Sequence, residues 1–298
     1  MKHSLSQEPD VLNLKGNYMT GVIDVGGGLR AAYGAGVFDW CMDNNIHFDY
    51  CVGVSAGSAN LASYLAGQRG RNYVYYTDYN LRDESMSFKN FAKSRNFVDL
   101  EYIFGKLSNQ GGEYPLDYRA VSENPAEFKI VATNAVTGRP HYFDKNDMRP
   151  DDYCAIKASS CVPAANRPYV VDGIPYYDGG ISDPIPLKKC FEAGCDKVVI
   201  VLTRPKDYER KKTKDQAIAR LIHRRYPKAA CAMSKRAMKY NAQLRMAKQY
   251  ELKGRILIIA PDDIGSMKTL KRDKEAITQL YHKGYEDAEV IKFFIKNA

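Results

Sequence analysis

The chain has 298 residues and a mass of 33.6 kDa, enough for one large α/β core, and it lacks the run of eighteen or more apolar residues that marks a membrane-spanning helix. A net charge of +9 with a pI near 9.0 favours polyanionic surfaces without choosing between membrane and nucleic acid. Seven cysteines at irregular spacing point to free thiols in a reducing compartment, and no Cys-x-x-Cys or helical His pair supports a metal centre.

Residues 1–18 are polar, carry no secretory signal and are expected to form a flexible leader, with 19–298 a single domain. Thr20 to Val25 reads as a buried strand that runs into Gly26-Gly27-Gly28-Leu29-Arg30. Ala31 to Asn44 is the next helix, and His47 to Val54 the second strand. That strand enters Gly53-Val-Ser55-Ala-Gly57 and then a helix rich in small residues. Strand, glycine loop, helix, strand, tight turn, helix is a βαβα opening, which predicts a parallel sheet with helices on its faces.

From Gly70 to Gly112 the chain is aromatic and irregular, with Tyr75, Tyr76, Tyr79 and Phe104 among its rings. Short helices covering the sheet are expected here, and core packing is the first reading of the aromatics, ahead of a lid or acyl-binding cap. Phe128–Thr133 and His141–Phe143 suggest a hairpin, Asp151–Ser160 a helix, and Asp172-Gly173 a tight hairpin turn between two short strands. Lys197–Leu202 and Arg255–Ala260 have the continuous apolar character of strands buried on both faces. Between them Asp215–Leu252 reads as one long helical stretch, and Lys274–Lys296 as a closing helix.

Ser55 is the candidate nucleophile. A strand-to-helix turn this tight forces its central residue into a strained conformation with the hydroxyl above the sheet, and only glycine-sized neighbours at 53 and 57 leave room. The competing reading is a helix N-cap by Ser55 or Ser58. A serine also needs a base and donors for an oxyanion. The Gly26–Gly28 loop caps the adjacent strand at the same sheet edge, and its side-chain-free amides suit the donor role. Gly26-x-Gly28-x-x-Ala31 fits a dinucleotide fingerprint as well, but the second strand lacks the terminal acid that would hold a ribose. The histidines are scattered, with His223 and His282 in basic helical segments. Asp178 ends a strand and is followed by Gly179-Gly180, so it is the better base.

Taken in order, Gly26-Gly-Gly-Leu-Arg30, Gly53-Val-Ser-Ala-Gly57 and Asp178-Gly-Gly180 closely resemble the motifs of the patatin-like phospholipase family, serine lipid acyl hydrolases. The resemblance runs from about Thr20 to Leu187 and includes Ala158-Ser-Ser-Cys-Val-Pro163. It implies a three-layer α/β/α fold with a mainly parallel central sheet. It also implies a Ser55–Asp178 dyad without histidine, no cofactor and no metal, and an oxyanion hole from the amides of Gly26, Gly27, Gly28 and Leu29. Arg30, Gly53, Gly57, Gly179 and Gly180 would be supporting residues. Ala31 departs from the family's glycine, and its methyl would tighten the loop or narrow the site. The expected reaction is phospholipase A-type cleavage of fatty acyl esters through an acyl-enzyme, with Asp178 only modestly buried and ionised at neutral pH. The alternative is a catalytically silent lipid-binding protein on the same fold.

Arg204 to Lys239 carries thirteen cations. A solvated helix face is the plain reading and docking to an anionic membrane the sharper one, at about 1 kcal/mol per well-placed cation. Nucleic acid is not expected, since no stacking platform accompanies the charge. These features together predict a cytoplasmic protein that is peripheral to the membrane.

Overall fold

The computed structural model describes residues 18–296, so all but the last residue of the expected leader lies outside the described residues. The chain opens with β1 (Thr20–Asp24), α1 (Ala32–Asp43), β2 (Tyr50–Val54) and α2 (Ala56–Leu65), with a 3₁₀ turn at Gly28–Ala31 between β1 and α1. Then come α3 (Arg71–Thr77), α4 (Phe88–Ser94) and α5 (Tyr118–Glu123), the short covering helices expected of the aromatic stretch. The hairpin β3 (Glu127–Asn134) and β4 (Pro140–Asp144) precedes α6 (Cys154–Ser159), β5 (Tyr169–Val171) and β6 (Ile174–Asp178). The remainder is α7 (Leu187–Glu192), β7 (Lys197–Val201), α8 (Lys212–His223), α9 (Pro227–Glu251), β8 (Ile256–Ile259), α10 (Lys274–Asp287) and α11 (Val290–Lys296).

One eight-stranded sheet runs in the order β5-β6-β3-β2-β1-β7-β8, with β4 paired to β3. Strands β3, β2, β1, β7 and β8 are parallel, while β4, β5 and β6 run antiparallel to their partners. The sheet is therefore mixed at one end, because hairpin turns return the chain there. One of these turns is Asp172-Gly173, with φ of 48° and 77°, the left-handed pair that a two-residue hairpin demands.

Alternation along the strands sorts the core into two layers. Val22, Cys51, Phe128, Ile130 and Val199 face the helices α1, α2 and α10. Ile23, Val52, Val131, Val198 and Ile200 face Leu187 of α7 and Tyr240 and Leu244 of α9. Helices thus cover both faces of a central sheet, the three-layer α/β/α arrangement. Helix α10 lies so close on α1 that a Cβ on Gly36 would come within 1.9 Å of the Tyr281 carbonyl, and one on Gly284 within 1.9 Å of the Tyr33 carbonyl. Hydrogen bonds from Tyr33 to Asp287 (2.7 Å) and from Tyr281 to Asp39 (2.6 Å) lock the pair.

Two expected helices are divided. Pro227 occupies the first turn of α9, where its missing N–H costs nothing, so the chain breaks after α8 and restarts. The closing helix is interrupted between Asp287 and Val290. The helix expected over Asp151–Ser160 is confined to Cys154–Ser159, and β2 starts at Tyr50 rather than His47. Among the described residues no helix is long and apolar enough to cross a membrane.

Candidate active site

Ser55 stands between β2 and α2 with φ 58° and ψ −132°, a left-handed conformation that costs a non-glycine residue on the order of 1–3 kcal/mol. Both flanking glycines are compelled by backbone proximity. A Cβ on Gly53 would sit 2.4 Å from the Ser58 Cα, and one on Gly57 would sit 2.3 Å from the Asp24 carbonyl. Ser55 occupies the N-cap position of α2, yet its side chain makes no capping bond, which leaves the hydroxyl uncommitted. Ser58 does not take over that role, since its hydroxyl donates to the Ser55 carbonyl (2.6 Å). The Ser55 N–H donates to Ser159 Oγ (2.8 Å), which itself donates to the Val131 carbonyl (2.6 Å). Ser159 is therefore a clamp on the turn. Its signal in the sequence was the Ala-Ser-Ser-Cys-Val-Pro stretch, which offered no role for it.

The glycine loop lies beside this turn. Gly26, Gly27 and Gly28 have φ of 62°, 135° and 61°, conformations that side chains rarely adopt. Asp24 at the end of β1 holds the loop: its Oδ1 accepts the Gly26 N–H (2.8 Å) and its Oδ2 accepts Asn60 Nδ2 (2.8 Å). Burial pushes the Asp24 carboxyl up to about 6. Two of the four amides expected to form the oxyanion hole are already engaged, Gly26 by Asp24 and Leu29 by the Thr269 carbonyl (2.9 Å). That corrects the expectation for Gly26 and Leu29. The amides of Gly27 and Gly28 have no partner among the described residues. Neither has the Ala56 N–H, the first of α2.

Asp178 ends β6 and is buried, not modestly covered as its motif alone suggested. Its Oδ1 accepts the Gly180 N–H (2.8 Å). Burial raises the carboxyl above the ordinary carboxylate range; Arg236 opposes this most strongly, followed by the Ser55 hydroxyl and the Gly180 amide. The Ser55 hydroxyl is thus one of the groups that hold the Asp178 carboxyl down, which brings the two side chains together in one site. The Asp-Gly-Gly motif has a steric reason. A Cβ on Gly179 would come within 2.0 Å of the Val131 carbonyl, and one on Gly180 within 2.9 Å of Arg236 Nη2.

Ser55, Gly28 and Leu29 lie on the wall of a cavity of about 90 Å³ whose other walls include Met86, Val98, Leu100, Ile103 and Phe104. The aromatic stretch thus does more than pack the core: Tyr75, Tyr76 and Phe104 also line this cavity. No described histidine lines it, and His47, His141, His223 and His282 are all exposed. The patatin-like phospholipase family model matches residues 25–191, which contain the serine turn, the glycine loop and Asp178. The chain belongs to the patatin-like phospholipase family. A second model, a domain of unknown function (DUF6363), matches residues 226–292.

Relatives of this patatin-like chain include the uncharacterized protein YjjU of Escherichia coli K12, 31% identical over 185 residues, which are 60% of this chain and 50% of that protein. An uncharacterized NTE family protein of Mycobacterium tuberculosis H37Rv is 30% identical over 82 residues, 28% of this chain and 22% of that one. The chain thus aligns with half or less of the length of these relatives. The crystal structure of VipD from Legionella pneumophila is similar with a TM-score of 0.47 at 12% identity, covering 94% of this chain and 67% of that one.

The patatin-like region does not build the site alone. Thr269 and Leu270 line the cavity, and Arg236 is the cation that faces Asp178; all three belong to the region matched by the second model. Arg236 Nε is sealed from solvent without a hydrogen-bond partner. Sequence reasoning counted Arg236 only within a basic surface. Arg30 is a fastener: it is buried, its Nε donates to the Thr203 carbonyl (3.3 Å) and its Nη1 to Thr269 Oγ1 (2.9 Å). Ala31 has φ −70° and a fully buried methyl packed in the core, away from the cavity wall, so it neither tightens the loop nor narrows the site.

Proposed function

We propose that this protein is a serine lipid acyl hydrolase that uses a Ser55–Asp178 dyad. The observation that carries the reading is the strained, uncapped Ser55 facing the Asp178 carboxyl on the wall of a largely apolar cavity that no described histidine lines. Ser55 Oγ attacks the ester carbonyl and its proton passes to Asp178. The amides of Gly27 and Gly28, with that of Ala56 at the positive end of α2, receive the oxyanion. Collapse of the tetrahedral intermediate expels the alcohol, which leaves with the proton from Asp178. Asp178 then takes a proton from water as the resulting hydroxide attacks the acyl-enzyme; collapse of the second tetrahedral intermediate breaks the Ser55 Oγ–acyl bond, Asp178 returns its proton to Ser55 Oγ, and the fatty acid is released. Met86, Leu100, Ile103 and Phe104 offer the acyl chain an apolar wall.

Ala31 was the sequence feature that favoured a silent lipid-binding protein, and its burial in the core removes that support. The test is fluorophosphonate labelling of the folded wild type alongside hydrolysis of a long-chain aryl ester and a lysophospholipid. Labelling with turnover is expected; a folded protein that neither labels nor turns over either ester is no serine hydrolase.

Arg236 is assigned the task of keeping the buried Asp178 ionised. Activity requires the carboxylate, so the acid limb of kcat/KM follows its pKa in the free enzyme. Removing the cation raises that pKa further. Arg236→Gln is expected to move the acid limb to higher pH, with activity lost most at mildly acidic pH and least at alkaline pH, and Arg236→Lys to restore it in part. A uniform loss at every pH would leave Arg236 with a packing role only.

Membrane docking belongs to α8 rather than to the whole basic segment. Arg210 pairs with buried Asp215 (2.7 Å), Lys206 with Glu251 (2.5 Å), and Lys239 with the Ser182 carbonyl, so these three charges already have partners in the protein. Lys214, Arg220 and Arg224 remain exposed around Leu221, which is itself 72% exposed. An anionic bilayer is the surface that suits this combination of cations and one apolar side chain.

A further inference from the structure

Four buried side-chain polar atoms lack a hydrogen-bond partner among the described residues: Arg71 Nε, Asn109 Oδ1, Ser160 Oγ and Arg236 Nε. Two of them, on Arg71 and Ser160, belong to residues that line the cavity holding Ser55. Native interiors leave few such groups orphaned, and each calls for an explanation.

Arg71 is the more telling of the two. It is only 4% exposed, and among the described residues no carboxylate lies within ion-pair distance. The groups around it are neutral: Nη1 donates to Ser63 Oγ (3.0 Å), and Nη2 to Tyr75 OH (3.0 Å), Ser108 Oγ (3.0 Å) and the Tyr114 carbonyl (3.1 Å). The Tyr75 ring lies 4.3 Å below the guanidinium. Burial lowers the Arg71 pKa, and the ionisable groups that chiefly oppose this are tyrosines rather than acids. A buried charge is ordinarily paired, since leaving it alone in a low-dielectric interior costs several kcal/mol. Asn80 also lines the cavity, and its amide has no partner among the described residues. A cation, an orphaned hydroxyl and an uncommitted amide therefore share a cavity whose remaining wall is apolar.

We infer that Arg71 with Asn80 forms an anion-recognition subsite inside the substrate cavity, so that the preferred ester carries a carboxylate or phosphate in addition to its apolar portion. The inference rests on the esterase reading above. The guanidinium is already oriented by Ser63, Ser108 and Tyr75, so an entering anion finds a fixed donor set and meets no acid to displace.

The experiment compares pairs of esters that differ only in the anion. One pair is 4-nitrophenyl hexanoate against the mono-4-nitrophenyl ester of adipate, which places a carboxylate at the far end of the acyl chain. The other is 1-acylglycerol against 1-acylglycerol 3-phosphate, which places a phosphate on the alcohol. Wild type is expected to favour the anionic member of one pair through KM, by roughly ten- to a hundredfold, the range for a charge-assisted contact. The pair that responds identifies which portion of the ester meets Arg71. Arg71→Met should erase that preference, with the loss in kcat/KM falling at least tenfold more heavily on the anionic ester than on its neutral partner, and Arg71→Lys should restore part of it. Asn80→Asp, at a side chain without protein partners, should reverse the preference with no loss of Tm, which keeps the test open should Arg71→Met fold poorly. Equal use of both members of each pair by wild type, or an equal loss on neutral and anionic esters in Arg71→Met, would leave Arg71 as a fastener and overturn the inference. Absence of turnover on every ester would instead strike the esterase reading. The subsite is then read by thermal shift with adipate and with glycerol 3-phosphate, and failure of both to raise the Tm of wild type above that of Arg71→Met overturns it independently.

Discussion

Ser55→Ala is expected to abolish ester turnover and fluorophosphonate labelling, with a loss on the order of 10⁴-fold or more, since a missing nucleophile leaves only binding and the oxyanion donors. The fold should survive. Alanine carries the same Cβ into φ 58°, so the backbone strain is unchanged, and the serine hydroxyl makes no capping bond to lose. Ser55→Gly is the informative companion. It removes the strained Cβ at a left-handed position while adding backbone freedom to the unfolded chain, and it should match or exceed wild type in Tm while remaining inactive. Calorimetry beside the ester assay separates the two effects; normal turnover by Ser55→Ala would place the nucleophile elsewhere.

Asp178→Asn is expected to lower turnover about 10³- to 10⁴-fold, as general bases typically contribute up to this range and no described histidine lines the cavity to substitute. Its effect on stability has a defined sign. The folded-state pKa of Asp178 is raised by burial, so between the unfolded and folded values the native state holds the proton that the unfolded state releases. Stability from this group therefore falls as pH rises through that window and stays lower above it. Asparagine has no such proton, so the variant should gain on wild type as pH rises beyond the ordinary carboxylate range. The opposing influence is Arg236, which loses its facing carboxylate. Urea denaturation at several pH values measures the balance; a stability difference that does not vary with pH would mean that Asp178 is not perturbed.

Much of the site was legible because its turns can be built only with glycine, and glycines grouped in a short motif are visible whichever segment packs against them. Gly53, Ser55 and Gly57 announce a turn whose backbone leaves no room for other side chains. Gly26 to Gly28 announce positive φ, and Asp178-Gly-Gly announces close approach to β3. Strands were legible for a similar reason, since alternation and continuous apolar runs reflect burial directly. Boundaries were less so, as at β2 and α6, where a few residues of suitable composition stay outside the ladder or helix.

The sequence by itself determined the family, the α/β class and the candidate nucleophile and base, because these reside in short motifs whose glycines mark positive φ or a close backbone approach wherever the opposing residue lies in the chain. Only the tertiary structure decided which amides remain uncommitted, since the Thr269 carbonyl that occupies the Leu29 N–H lies 240 residues further along the chain. It likewise decided that Arg236 faces Asp178 instead of solvent, that Ala31 belongs to the core and that Arg71 is buried without an acid. The reason is common to all four. A charge or an amide carries no local mark of its partner, and burial in a folded interior depends on elements that meet only when the sheet brings distant segments together.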